Sequence, residues 1–325
     1  MMKRPDYETS FKAKAVEYIK RGKYKEALYY LKKLDPTDLN VQTLKSSCYI
    51  ATKKYDKAEK VLLKVVKKTP RDVEVLRNFA IVYYYKGKTN REVHYFKKII
   101  EITKKKKVMD QTSELATVHG IEYYMKGEKE KAELLFNVAL EADPKNEVSL
   151  YNLAIIANER EDFDRSTSFL ERLLSFNKKH IDALMTLGGI NFNEKQYNKA
   201  IQYFKQAAKH ASKEEEKYRA QLFIGRSYFN GEEYREAEKA FMTAWETKKD
   251  DSDLVSLILI TWQRLFNKFK EEKYAVRILE FLILKEDKRE AIQFLEHALA
   301  EVPDSKDLKR FKEVLQPDEG GNSNA

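Results

Sequence analysis

The sequence predicts an all-α protein, built as a solenoid of about eight helix pairs. Glycine and proline are scarce, with 10 and 6 residues among 325, which disfavours a β-sandwich or barrel because those folds need many tight turns. Apolar residues recur at the spacings i, i+3 and i+4, and one short phrase returns along most of the chain. Both patterns are typical of stacked amphipathic helices.

The returning phrase joins an aromatic residue, a short polar gap and an alanine. Its clearest copies lie at residues 22–27, 54–58, 123–132, 196–200 and 233–237. Weaker copies carry Glu92, Ser166 and Ala291 in the alanine position. The eight positions are separated by 31, 34, 40, 34, 34, 37 and 54 residues, so three of the seven intervals equal 34. A 34-residue period indicates a repeat made of two helices.

The period and the phrase resemble those of the tetratricopeptide-repeat family over about residues 11–307. The resemblance implies a right-handed superhelical solenoid, to which this sequence adds one inserted helix and a C-terminal capping helix. Small residues are expected where the two helices of a pair cross, and Gly120, Gly188 and Gly225 are among them. The family also implies a role in binding other proteins.

Intervals that depart from 34 residues predict how the chain is divided. We expect an N-terminal lead at residues 1–10, seven repeats at 11–251 and one inserted apolar helix at 252–273. An eighth repeat and the capping helix follow at 274–315, and a disordered tail rich in Gly, Asn and Ser at 316–325. The stretch from Leu254 to Phe266 is apolar on more than one face, which predicts a buried helix or a surface for self-association.

No convergent set of catalytic or metal-binding residues is recognisable in the sequence. The five histidines lie far apart and none pairs at a metal-ligand spacing: His94, His119, His180, His210 and His297. His119 falls at a packing position and is interpreted as a core histidine. No glycine-rich phosphate loop is present. We therefore expect a non-catalytic protein with no cofactor and no metal.

Cysteine usage and hydropathy predict where the protein resides. Cys48 is the single cysteine, so an internal disulfide or a cysteine-based zinc site is excluded and a reducing compartment is expected. Residues 1–10 are charged and lack the apolar core of a signal peptide. The most apolar stretch, residues 254–262, is too short to span a bilayer. These observations predict a cytoplasmic protein.

Charge is distributed unevenly, which bears on the partner. The net charge is +10, but residues 1–110 hold 29 Lys and Arg residues against 13 Asp and Glu residues, whereas residues 111–325 hold 33 against 39. The basic half predicts an acidic protein partner, and the other interpretation is that the surplus lysines only solvate the outer helices. Together with the lysine run at 104–107, the basic half also leaves open nucleic-acid or anionic-surface binding as an alternative function. The basic residues are scattered over helix faces, which favours the protein partner.

The resemblance to tetratricopeptide arrays predicts where the binding surface lies, because in those arrays the first helix of each repeat lines the concave groove. The first-helix residues that do not pack within their own repeat form the expected partner-binding groove: Arg77, Ile81, Tyr84, Tyr85, Thr117, Ile121, Tyr124, Met125, Tyr151, Ile155, Asn158, Met185, Phe192 and Asn193. Exposed Tyr, Met and Phe side chains are typical of protein interfaces. We expect a scaffold or adaptor that holds an extended or helical partner segment there and supports assembly of a multiprotein complex.

Overall fold

The computed structural model describes residues 5–249, 251–285 and 287–316, and across these ranges it contains eighteen helices and no strand. The all-α fold class is confirmed. None of the helices in these ranges combines the length and the hydropathy needed to cross a membrane. Residues 1–4 of the predicted lead and residues 317–325 of the predicted tail lie outside the described residues.

The chain divides into two compact units, and the first covers residues 1–173. Its helices are α1 Pro5–Lys20, α2 Tyr24–Leu31, α3 Leu39–Ala51, α4 Tyr55–Val66, α5 Val73–Tyr85, α6 Thr89–Ile102, α7 Lys106–Met125, α8 Lys129–Ala142, α9 Glu147–Glu159 and the larger part of α10 Phe163–Phe176. Because α1 begins at Pro5, residues 5–10 of the predicted lead are helical.

The second unit covers residues 174–325. Its helices are α11 Ile181–Asn193, α12 Tyr197–His210, α13 Glu214–Asn230, α14 Tyr234–Thr247, α15 Ser252–Phe269, α16 Glu272–Leu284, α17 Lys288–Glu301 and α18 Lys306–Leu315. Helix α15 lies within the range expected for the inserted helix, and α18 lies at the C-terminal end of the range expected for the eighth repeat and the capping helix.

A recurring turn marks the helix pairs in the backbone. Between the two helices of a pair, one residue has φ between 59° and 77°: Gly22, Lys53, Gly87, Gly127, Glu161, Lys195 and Glu232. The next helix begins two residues later in all seven cases. A left-handed residue at this place ends a helix and lets the chain fold back, and glycine adopts it without strain. Lys270, between α15 and α16, is also left-handed with φ 54°, but the residue that caps α16, Glu271, is extended with ψ 116°. The turn therefore marks seven pairs, from α1–α2 to α13–α14.

The backbone just before α17 has the same conformation as the backbone just before the second helices of the earlier pairs. The residue that caps α17, Asp287, has φ −85° and ψ 68°, close to the −86° and 62° of Glu128 before α8. Residues that precede first helices are extended instead, such as Asp72 with ψ 113° before α5. This geometry supports α16–α17 as an eighth pair, and the division into inserted helix, eighth repeat and cap stays a prediction.

Glycines of the first helix let the two helices of a pair approach closely. A Cβ atom added to Gly120 would lie 2.7 Å from the ring of Phe136 on α8. The same overlap relates Gly188 to Phe204 and Gly225 to Phe241. All three rings are at most 1% exposed, so they have no room to move away. The expected placement of small residues at the helix crossings is confirmed at these glycines.

Helix α15, which contains the stretch from Leu254 to Phe266, packs on both sides within the second unit. Leu254 and Ile258 join a buried cluster with residues of α13 and α14. Leu265 and Phe266 belong to a second cluster formed with α16, α17 and α18. Ile260 remains 44% exposed. Because contacts inside the chain bury Leu254, Ile258, Leu265 and Phe266, the apolar stretch is explained mainly by packing, and self-association through it gains no support.

Candidate functional site

The fourteen predicted groove residues are distributed over both compact units. Those from Arg77 to Asn158 lie on α5, α7 and α9 of the first unit, whereas Met185, Phe192 and Asn193 lie on α11 of the second. In the second unit Asn193 is exposed, and the partly buried Phe192 ring packs edge-on against Tyr197, with 5.6 Å between the ring centroids.

Most of the predicted groove residues in the first unit reach the surface. Met125 is 80% exposed and Tyr85 is 55% exposed. The partly buried members are Arg77, Ile81, Ile121, Tyr124, Tyr151, Ile155 and Asn158. The expectation is wrong for Tyr84, Thr117 and Met185, which are 5%, 7% and 8% exposed.

Contacts with other helices explain why these three side chains are buried. The Tyr84 ring stacks on His119 of α7, with 3.9 Å between the ring centroids. The hydroxyl oxygen of Thr117 lies 3.0 Å from that of Ser149 on α9. Met185 belongs to a core cluster of the second unit. These residues therefore join helices together and offer little surface to a partner.

Hydrogen bonds connect neighbouring first helices in the first unit. The hydroxyl of Tyr84 on α5 donates to the carboxylate of Glu122 on α7. The hydroxyl of Tyr124 on α7 donates to Glu159 of α9 across 2.6 Å. This bond, together with burial, raises the pKa of Tyr124 to about 12, so the phenol stays protonated as the donor. The two carboxylates, which the sequence did not single out, hold the tyrosine rings in place.

An apolar stripe runs along α7. Val118, Ile121 and Met125 are spaced i, i+3 and i+7, which places them on one face of the helix. Val118 is 49% exposed and was missed, although its spacing from Ile121 could have revealed it. We define the first-helix face as the stripe and its partly or fully exposed neighbours on α5, α7 and α9: Ile81, Tyr85, Val118, Ile121, Tyr124, Met125, Tyr151 and Ile155.

A buried ionisable pair lies between α6 and α7. Glu92 stands in the alanine position of its repeat, and its Oε1 atom is 2.6 Å from Nδ1 of His119. The two residues are 0% and 5% exposed, and Oε2 of Glu92 has no hydrogen-bond partner among the described residues. Burial raises the pKa of Glu92, and His119 counteracts part of that rise. His119 is thus a core histidine with a partner, as its sequence position indicated.

No group of three or more His, Cys, Asp and Glu side chains could hold a metal ion within the described ranges. Cys48 is fully buried, and burial raises the pKa of its thiol to about 11. At neutral pH the sulfur is therefore a protonated thiol without access to solvent.

We expect Cys48 to react with a thiol-specific reagent only when the α3 region opens, because the thiolate is the reactive form and its formation is suppressed. The measurement is the rate of labelling at pH 7 in native buffer and in increasing urea. Rapid stoichiometric labelling of the native chain would contradict the burial of this side chain.

Two stretches of the chain, residues 18–78 and 192–258, match the tetratricopeptide-repeat family model. No curated protein sequence matches the chain. Among solved structures, the C-terminal part of a TPR repeat-containing protein from Cytophaga hutchinsonii is 14% identical, with 76% of this chain and 98% of that chain covered and a TM-score of 0.53.

Two further solved structures are longer than this chain. A chain of Naa15/Naa10 bound to HypK-THB is 13% identical, with 96% of this chain and 44% of that chain covered and a TM-score of 0.52. A chain of the APC/C hetero-tetramer Cut9-Hcn1 is 16% identical, with 93% of this chain and 54% of that chain covered and a TM-score of 0.39. This chain spans about half the length of these two proteins.

The family match and the backbone agree on the repeat. The matched stretches run from α1 to α5 and from α11 to α15, and each contains the turn with a left-handed residue between two helices. The same turn recurs between the matched stretches, at Gly87, Gly127 and Glu161. The two matched stretches are tetratricopeptide repeats, and the recurring turn extends the same helix-pair architecture to the helices between them.

Proposed function

We propose that this protein is a scaffold or adaptor that binds a segment of a partner protein on its first-helix face and supports assembly of a multiprotein complex. The exposed apolar stripe on α7 carries this proposal. Met125 is 80% exposed and Val118 is 49% exposed, in a chain in which 35% of the residues are charged. A contiguous exposed apolar surface on a polar protein typically marks an interaction site.

The organisation of the rings beside the stripe supports binding of a protein segment. The Tyr124 hydroxyl is held by Glu159, and Glu159 in turn forms an ion pair with Lys129 across 2.8 Å. A ring fixed in this way loses little conformational entropy when a partner packs against it. Methionine next to it adapts to partner side chains of different shapes. One chain with this fold occurs in a complex, Naa15/Naa10 bound to HypK-THB, which agrees with the proposed role.

The partner is expected to be acidic because the excess of positive charge lies in residues 1–110. The alternative, binding of nucleic acid or an anionic surface, depends on the same basic half and on the lysine run at 104–107, whose four side chains are exposed where α6 ends and α7 begins. No feature of these lysines favours phosphate over carboxylate. An electrophoretic shift at low salt would establish the alternative, since phosphate contacts weaken steeply with salt.

Replacing Met125 with glutamate is expected to weaken partner binding by about tenfold, because a charge is placed in the apolar contact. The side chain is mostly exposed, so the fold should tolerate the change. The measurement is affinity purification with quantitative mass spectrometry, in which tagged wild type and the Met125→Glu variant are compared.

Leu134→Glu is the matched control, since Leu134 is a 42% exposed apolar residue on α8, the second helix of the same pair. The proposal requires at least one partner that wild type and Leu134→Glu retain and Met125→Glu loses, at unchanged melting temperature. Retention of every partner by Met125→Glu would refute binding at the first-helix face.

A further inference from the structure

A hollow of about 460 Å³ in the first unit is lined by four lysines and by no carboxylate. Lys32 lies just after α2, Lys45 lies on α3, Lys64 lies on α4 and Lys68 follows α4. The remaining lining combines apolar and neutral polar side chains: Pro36, Thr37, Leu39, Gln42, Tyr49, Val61 and Val65. We call this surface the lysine hollow. It shares no residue with the first-helix face.

Lys45 occupies a place that other repeats fill with a buried apolar side chain. Lys45 lies thirteen residues before Ala58, the alanine of its repeat phrase. In other repeats, the residues thirteen positions before Glu92, Ser166 and Ala200 are Phe79, Leu153 and Leu187. These three are at most 2% exposed, and Lys45 itself is 8% exposed. A lysine at a core position costs stability unless its charge is compensated. An anionic ligand bound in the lysine hollow would compensate the charge of Lys45.

The described residues compensate the charge of Lys45 only in part. Among the described residues, none of the four lysine ammonium groups takes part in an ion pair or a hydrogen bond. Burial lowers the pKa of Lys45, the negative charge of Asp35 raises it in part, and the positive charge of Lys32 lowers it further. The Asp35 carboxylate is engaged by Thr37, whose backbone N–H donates to it across 2.8 Å. The Lys45 and Lys32 ammonium groups therefore repel each other, and an anion bound beside them would relieve the repulsion.

We propose that the lysine hollow binds glutamate or aspartate side chains from an acidic segment of a partner protein. The carboxylates neutralise the lysines, and the aliphatic part of a glutamate packs against apolar residues such as Leu39, Val61 and Val65. The hollow has no arginine fork of the kind that binds phosphate with two parallel hydrogen bonds. It adds a second contact surface to the proposed scaffold.

The test is binding of a fluorescent oligoglutamate peptide, followed by anisotropy at low and physiological salt with the full chain. The Lys45→Met variant should bind about tenfold more weakly, since it loses a charge-assisted contact. It should also melt at a higher temperature than wild type, because an apolar residue replaces a buried charge. Lys57→Met is the control: it removes an exposed lysine of α4 outside the hollow and should change binding by less than about twofold.

Lys68→Met, at an exposed position of the hollow, provides a second variant that does not disturb the core, and it should also weaken peptide binding. Equal binding by wild type, Lys45→Met and Lys68→Met would overturn the proposal. So would a Lys45-dependent preference for an oligothymidylate or for inorganic phosphate over the peptide. Met125→Glu should bind the oligoglutamate normally, so failure of the first-helix face and failure of the lysine hollow are distinguishable.

Discussion

Replacing His119 with leucine is expected to destabilise the first unit by about 3 kcal/mol near pH 7, because the buried carboxyl of Glu92 loses its partner. Leucine occupies the equivalent place at Leu153 and Leu187, so its size and shape suit the site. The cost therefore comes from the charge and the unpaired oxygens of Glu92, which is 0% exposed. The measurement is the free energy of unfolding in urea, followed by far-UV circular dichroism.

The double variant Glu92→Ala with His119→Leu should recover most of that loss. Six of the eight copies of the repeat phrase have alanine at the position of Glu92. The Glu92→Ala substitution removes the buried carboxyl group that His119 pairs with. A buried ion pair often stabilises no more than well-packed apolar residues of similar volume. If the two substitutions are simply additive in the free energy of unfolding, the carboxylate and the imidazole are not coupled and this account of the pair fails.

Replacing Gly188 with alanine is expected to destabilise the second unit by about 1–3 kcal/mol, because the new Cβ would overlap the Phe204 ring. Phe204 is 1% exposed and is held in a cluster with Leu184 and Ala207, so the ring cannot move without opening the core. The two helices of the pair, α11 and α12, must then separate. The free energy of unfolding from a denaturant titration measures the effect.

The neighbouring Gly189 provides the matched control. No atom lies within 4 Å of the position that its Cβ would take. Gly189→Ala should therefore stabilise the chain by about 0.5–1 kcal/mol, since alanine has the higher helix propensity. Two adjacent glycines of one helix are thus expected to respond with opposite signs. A loss of stability at both positions would show that helix α11 is sensitive to alanine for another reason.

The local pattern of the sequence determined the helices and their pairing. The Ala and Gly residues at the crossings, the aromatic residues opposite them and the turn residues recur at nearly constant spacing, and each acts on its own neighbourhood. Helix-pair repeats are recognisable from one sequence for this reason, because every repeat must satisfy the same packing requirement. The range of α18 and the apolar character of α15 follow from the same periodicity.

Only the tertiary structure decided which side chains reach the surface. Tyr84 and Tyr124 occupy the same place in successive repeats, yet Tyr84 is buried because His119 of the next first helix stacks on its ring. Lys45 is recognisable as a charge at a core position, but only the structure shows that it forms no ion pair and that lysines from around α2 and α4 line the same hollow. Exposure and charge compensation depend on residues from neighbouring helices, and spacing along one chain does not specify those contacts.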